Sequence, residues 1–218
     1  MAIAFDTSTS SGSSSTSTLT RSHTCSGADR VLVVFVKVYN TSNLLTSVTY
    51  YGVGLTQVTA IQDASNRWSY SYILDNPATG ANNVVVNLSS ATFVSSSSHS
   101  YTGCATSGIP DASAASNIAT VDVSISATTT VDNCWLVGAY AGARTYTAGG
   151  GTTQRQVNTN ADYLVTFDSN SPKTPAGTYS LAGTQSSATA CSRHIISLAP
   201  VASSPAAQTA RRGVVMMM

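Results

Sequence analysis

Apolar positions in this chain recur with the short period of strands and nowhere with the longer period of a helix. Arg30 to Tyr39 is apolar on both faces apart from Lys37, and Asn133 to Tyr140 repeats that pattern. A strand apolar on both faces is covered on both sides, so both segments are predicted as central strands, with Val31, Val33, Phe35, Leu136 and Val137 in the core. Other stretches alternate. Trp68, Tyr70 and Tyr72 point one way and Ser69 and Ser71 the other, while Val121, Val123 and Ile125 alternate with Asp122 and Ser124. Thr16 to His23 reads as the first clear strand. Ser47 to Tyr51 and Leu55 to Ile61, joined by Gly52-Val53-Gly54, read as a hairpin. Further strands are expected over 83–88, 92–101, 163–167, 178–182 and 193–199.

Turn signals separate these runs at 40–43, 63–66, 75–80, 148–151 and 169–177, where Asn, Asp, Pro and Gly cluster. About a dozen short strands punctuated this way predict an all-β fold, an antiparallel β-sandwich that is jelly-roll-like, over residues 1–199. Residues 200–218 change character. A Pro/Ala/Ser linker leads to Arg211, Arg212, Gly213, Val214, Val215, Met216, Met217 and Met218. An apolar end on such a tether is either a disordered tail or a peptide that docks in a neighbouring subunit; docking is the expectation, with methionines filling irregular pockets and the two arginines at the groove's mouth.

Composition sharpens the all-β reading. All nine acidic residues are aspartate, and Lys37 and Lys173 are the only lysines. Glu and Lys normally fill the exposed face of a helix, whereas the Ser, Thr, Val, Tyr and Asn found here suit pleats and turns. At 218 residues one large β-domain suffices. A charged fraction of 9% and a formal net charge of +1 give no electrostatic reason to expect nucleic acid or an anionic membrane as partner. The start Met1-Ala-Ile-Ala-Phe-Asp6 has neither the basic region nor the apolar run of a secretory signal. Cys25, Cys104, Cys134 and Cys191 are irregularly spaced without a C-x-x-C, which leaves two states open: one disulfide in an oxidising setting, or buried thiols acting as small hydrophobes.

Several segments together carry a resemblance. They are the Met1-to-Asp6 start, Ser22 to Val34, Ser47 to Thr56 with its hairpin, Tyr72 to Val86, Ser100 to Gly103 with Ile109-Pro110-Asp111, and the closing Ile196 to Pro200. This set resembles a β-sandwich domain of tailed-phage virion structural proteins, also found in some bacterial surface proteins, over roughly residues 1–200. The resemblance implies a virion component of decoration, fibre or tail type and brings no catalytic residues with it. The Arg/Val/Met tail departs from it.

The candidate chemistry is sparse. His23, His99 and His194 would have to converge with an aspartate to make a hydrolase, and no G-x-S-x-G is present. The imidazoles are expected as hydrogen-bonded strand or surface residues. Asp63, Asp75, Asp111 and Asp168 sit in turn contexts where carboxylates cap backbone amides. Asp162 and Asp168 with Asn158 and Asn160 offer oxygens to calcium, without EF-hand spacing. The Trp68/Tyr70/Tyr72 stripe is either a sugar-stacking platform or the inner face of a sandwich, and the serines opposite favour the inner face. The expectation is therefore a non-enzymatic bacteriophage structural protein, most simply a capsid decoration protein. It is made in the host cytoplasm, incorporated into the virion as a homo-oligomer through contacts with capsid or tail proteins, and needs no metal or cofactor. The alternatives are a glycan-binding adhesin module on a fibre, or a tail or baseplate component.

Overall fold

The computed structural model describes residues 2–160 and 162–202. The expected docking tail, with Arg211, Arg212 and Val214 to Met218, lies outside the described residues. All regular structure described is strand, and every strand-to-strand ladder is antiparallel.

The fold starts from a two-stranded ribbon, β1 (Ala4–Cys25) against β7 (Gly80–Thr102), in register from Ala4↔Thr102 to Cys25↔Gly80. Register shifts on both sides of Thr16 bend it, as bulges do. The two halves consequently face each other. Thr9 Oγ1 meets His23 Nδ1 at 2.9 Å, Arg21 reaches Ser98, and the Ser26 amide donates to Asp6 at 2.9 Å. The sequence reads 83–88 and 92–101 as two strands and starts the first at Thr16. The fold makes one bent strand of the first pair and extends the other back to Ala4, because polar residues paired across a ribbon carry no apolar alternation to reveal them.

The bent ribbon seeds two layers. One half of β7 pairs with β3 (Leu45–Tyr50), which carries the short β4 (Val53–Gly54). The other half pairs with β2 (Val31–Tyr39), followed outward by β6 (Trp68–Asp75) and β5 (Thr56–Gln62). The expected hairpin between 47–51 and 55–61 does not form. Tyr51 and Gly52, at φ 51° and 78°, close a tight turn onto β4 only. Leu55 then enters the core, and β5 crosses to the far edge of the second layer.

A third layer follows in the order β12 (Thr153–Asn158), β13 (Tyr163–Asp168), β10 (Trp135–Gly142), β16 (Cys191–Leu198) and β8 (Ala112–Ile118). Two small pairs cover its far side: β11 (Tyr146–Ala148) with β15 (Gly183–Gln185), and β9 (Ile125–Thr128) with β14 (Thr178–Leu181).

This stacking explains the two doubly apolar segments. In β2, Leu32, Val34, Val36 and Val38 face the first core, against Leu19, Val48, Tyr50, Val84 and Val86, while Val31, Val33 and Phe35 face the second. In β10, Val137, Ala139 and Ala141 enter that second core from the other side, and Leu136 and Tyr140 enter a third with Phe167, Leu181 and Ile195. Val31, Val33, Phe35, Leu136 and Val137 are all fully buried, as their pattern requires. Ser95 to Ser100, with His99 among them, are also fully buried. Their small side chains leave room for contacts from both neighbouring layers, Asn158 on Ser95 and Arg21 on Ser98, and for Asp6 of the paired strand on Ser100.

Candidate functional site

The sequence-level candidates resolve into internal ties. Nδ1 and Nε2 of His194 each lie 2.7 Å from a hydroxyl, those of Thr59 and Ser69, across the interface between the second and third layers. Burial pushes its pKa down to about 3 and that of His23 to about 4, and holds His99 well below the usual range. All three are strand residues, as expected, but none is at the surface. Each is a neutral interior imidazole, and they lie on separate strands.

Asp63 performs the expected turn duty, whereas Asp111 reaches a distant loop instead of capping its own turn. Asp63 Oδ1 accepts from the Ser65 and Arg67 amides at 2.8 and 3.0 Å, and Asp111 accepts from the Thr130 amide. Asp168 does more than cap Asn170. Fully buried, it accepts from the Tyr101 hydroxyl at 3.0 Å and from Arg155 at 2.7 Å, and so ties the second layer to the third. Three of the four oxygen donors considered for calcium are separately engaged. Asn158 binds Ser95 and the Asn160 amide, Asp162 faces Arg67, and Asp168 faces Arg155. Among the described residues no group of three or more His, Cys, Asp or Glu gathers as a metal site would. The four cysteines are buried free thiols.

The aromatic stripe is an inner face. Tyr70 and Tyr72 are buried in the first core, and the half-buried Trp68 stacks on Tyr70 with ring centres 6.1 Å apart. Two exposed aromatics lie elsewhere, where the end of β2 meets β7. Tyr39 is 47% exposed and Phe93 46%, and the two rings meet edge-on at 6.3 Å as a cross-strand pair. Nothing in the sequence sets Tyr39 apart from the buried run before it. It is exposed because the layers end there.

Polar groups from three turns surround that pair. Arg67, just after the Asp63–Asn66 turn, places its guanidinium 5.6 Å from the centre of the Tyr39 ring and pairs with Asp63 at 3.2 Å. Its Nε lies 2.8 Å from Asp162 Oδ2, a charge contact without hydrogen-bond alignment. Behind them Lys37, fully buried, donates to the Gly142 carbonyl at 2.8 Å and sits 3.6 Å from Asp162. Burial lowers its pKa to about 7, opposed by the attraction of Asp162. Two depressions flank Tyr39. One, of about 310 Å3, is lined by Phe93, Asn160 and Asp162; the other, of about 340 Å3, by Asn40, Thr41, Ser65 and Asn66.

A larger groove of about 620 Å3 is lined by Ala2, Ile3, Val131, Pro172 and Pro200, with Asp132 as its carboxylate. That carboxylate accepts from the Ala176 amide at 2.7 Å. No family model, curated protein or solved structure matches the chain.

Proposed function

We propose that this chain is a non-enzymatic structural protein of a tailed-phage virion, most simply a capsid decoration protein, which works by protein–protein contact as a homo-oligomer. The observation that carries the reading is an apolar tip on an open sheet edge. At the β3–β4 turn Tyr51 is 67% exposed and Val53 53%, and among the described residues β4 is the outermost strand of its sheet. Such an edge invites pairing or burial by a neighbour. The resemblance of the strand-and-turn segments to virion sandwich domains supports the same reading. So does the enclosure of His194 and Asp168 between sheets, where their hydrogen bonds tie one layer to the next.

The test is incorporation. Labelled protein is expected on particles by electron microscopy, at one repeating location. Tyr51→Ser with Val53→Ser, and separately removal of residues 206–218, are expected to keep the melting temperature and reduce occupancy. Absence from purified particles overturns the proposal.

A further inference from the structure

We propose that the rim around Tyr39 binds a neutral oligosaccharide lying across the Tyr39 ring. This goes beyond the structural role above and does not depend on it.

The first argument is the aromatic pair. Every residue of β2 from Val31 to Val38 is buried, and the strand then ends in a half-exposed tyrosine beside a half-exposed phenylalanine. Large rings left in water are costly to expose and give contact area with little loss of side-chain freedom. A sugar ring offers a flat C–H face to such a surface. Its hydroxyls then need planar partners around the edge, and the rim supplies them: the carboxylate of Asp162, 31% exposed, the amides of Asn160 and Asn66, and the hydroxyls of Ser65 and Thr41. A mainly apolar floor with a few convergent polar groups is the general form of a small-ligand site.

The second argument is charge. Lys37 and Arg67 stand against Asp63 and Asp162, so with Lys37 protonated the local sum is zero and each cation already has its carboxylate. An anionic sugar would meet the Asp162 carboxylate, and a cationic one the Arg67 guanidinium. A neutral saccharide meets neither penalty and can use both as directional partners.

The third argument is that the rim is held in advance. Asp63 fixes the Asn66 turn through two backbone amides. The Thr41 carbonyl accepts from Gln62 Nε2 at 2.9 Å and Trp68 Nε1 at 3.2 Å, which pins the 40–43 loop. Asn158 Oδ1 accepts from the Asn160 amide at 3.0 Å. Gly12 makes room for Asn160, because a Cβ there would stand 2.8 Å from the Asn160 Cβ. A rim fixed in this way loses little freedom when a ligand arrives. The two depressions on either side of Tyr39 make the occupant longer than one ring.

The experiment is an NMR titration of the full chain with oligosaccharides of glucose, galactose, mannose and N-acetylglucosamine, up to about 10 mM, which reaches dissociation constants near 1 mM. Saturable shifts are expected at Tyr39, Thr41, Asn66, Phe93 and Asn160 with at least one of them. Tyr39→Ala and Phe93→Ala, at half-exposed positions, are expected to keep the melting temperature and weaken binding about tenfold, the loss of roughly one stacking contact. If Tyr39→Ala fails to fold, Phe93→Ala and Asn66→Ala carry the comparison. The proposal is overturned if no member of the panel gives saturable shifts, if the shifts fall elsewhere, or if the variants bind as well as the parent. It is equally overturned if a sialylated or sulfated glycan binds better than every neutral one, or if Tyr39→Ala dissociates an oligomer, which would make the rim a subunit contact.

Discussion

His194 on β16 and Ser69 on β6 lie 125 residues apart in the chain, and Nε2 of one meets Oγ of the other at 2.7 Å. With Thr59 on the second ring nitrogen, this imidazole joins two sheets without a charge. Acid should therefore loosen the stack. In the unfolded chain His194 and His23 take a proton as pH falls through about 6.5; in the fold they do so only near 3 and 4. Between those values the unfolded state binds more protons, so stability falls with pH by up to about 1.4 kcal/mol per unit per histidine. Urea midpoints at pH 7 and 5 should show the loss, and His194→Gln should make the dependence shallower. An unchanged midpoint would refute it.

Lys37 acts in the same direction on the alkaline side. Its folded pKa of about 7 lies below the ordinary 10.5, so above pH 7 the unfolded chain holds the extra proton and stability rises with pH. The buried thiols, with pKa values raised from 9, reverse the slope above that point. A gain between pH 7 and 8.5 is expected in denaturant titrations, and Lys37→Met should abolish it.

Phe35 is fully buried between the second and third layers, with its ring 6.2 Å from that of His99 and 6.3 Å from that of His194. Phe35→Ala should cost about 3–5 kcal/mol in denaturant unfolding, the range for a large core aromatic. A cost under about 1 kcal/mol would contradict its place in the core.

Gly138 lies at the middle of β10, where a Cβ would stand 2.5 Å from the His194 carbonyl oxygen and 2.6 Å from Leu181 Cδ1. Backbone cannot yield there as a flexible side chain can. Gly138→Ala should destabilise by about 1–3 kcal/mol, seen as a lower melting temperature, while the open Gly150 should accept alanine with little change.

The sequence by itself determined the all-β class, the two central strands and the five core residues in them, because doubly apolar runs have no other stable place than between two covering layers. It also determined the turn duty of Asp63, which is local: a carboxylate reaching amides two and four residues away. Only the tertiary structure decided the rest. Ser95 to Ser100 read as strand residues of no clear burial, and they lie at the heart of the molecule because the ribbon folds back upon itself. The break between β3 and β5 depended on Leu55 entering a core made by other strands. Trp68, Tyr70 and Tyr72 carried the visible aromatic pattern, yet the exposed rings are Tyr39, Tyr51 and Phe93. Exposure at the end of a strand is set by where the neighbouring sheets stop, and Asn160, Asp162 and Arg67 reach that rim from turns distant in the chain. Periodicity along one segment records how many of its faces are covered, but not which other segments do the covering.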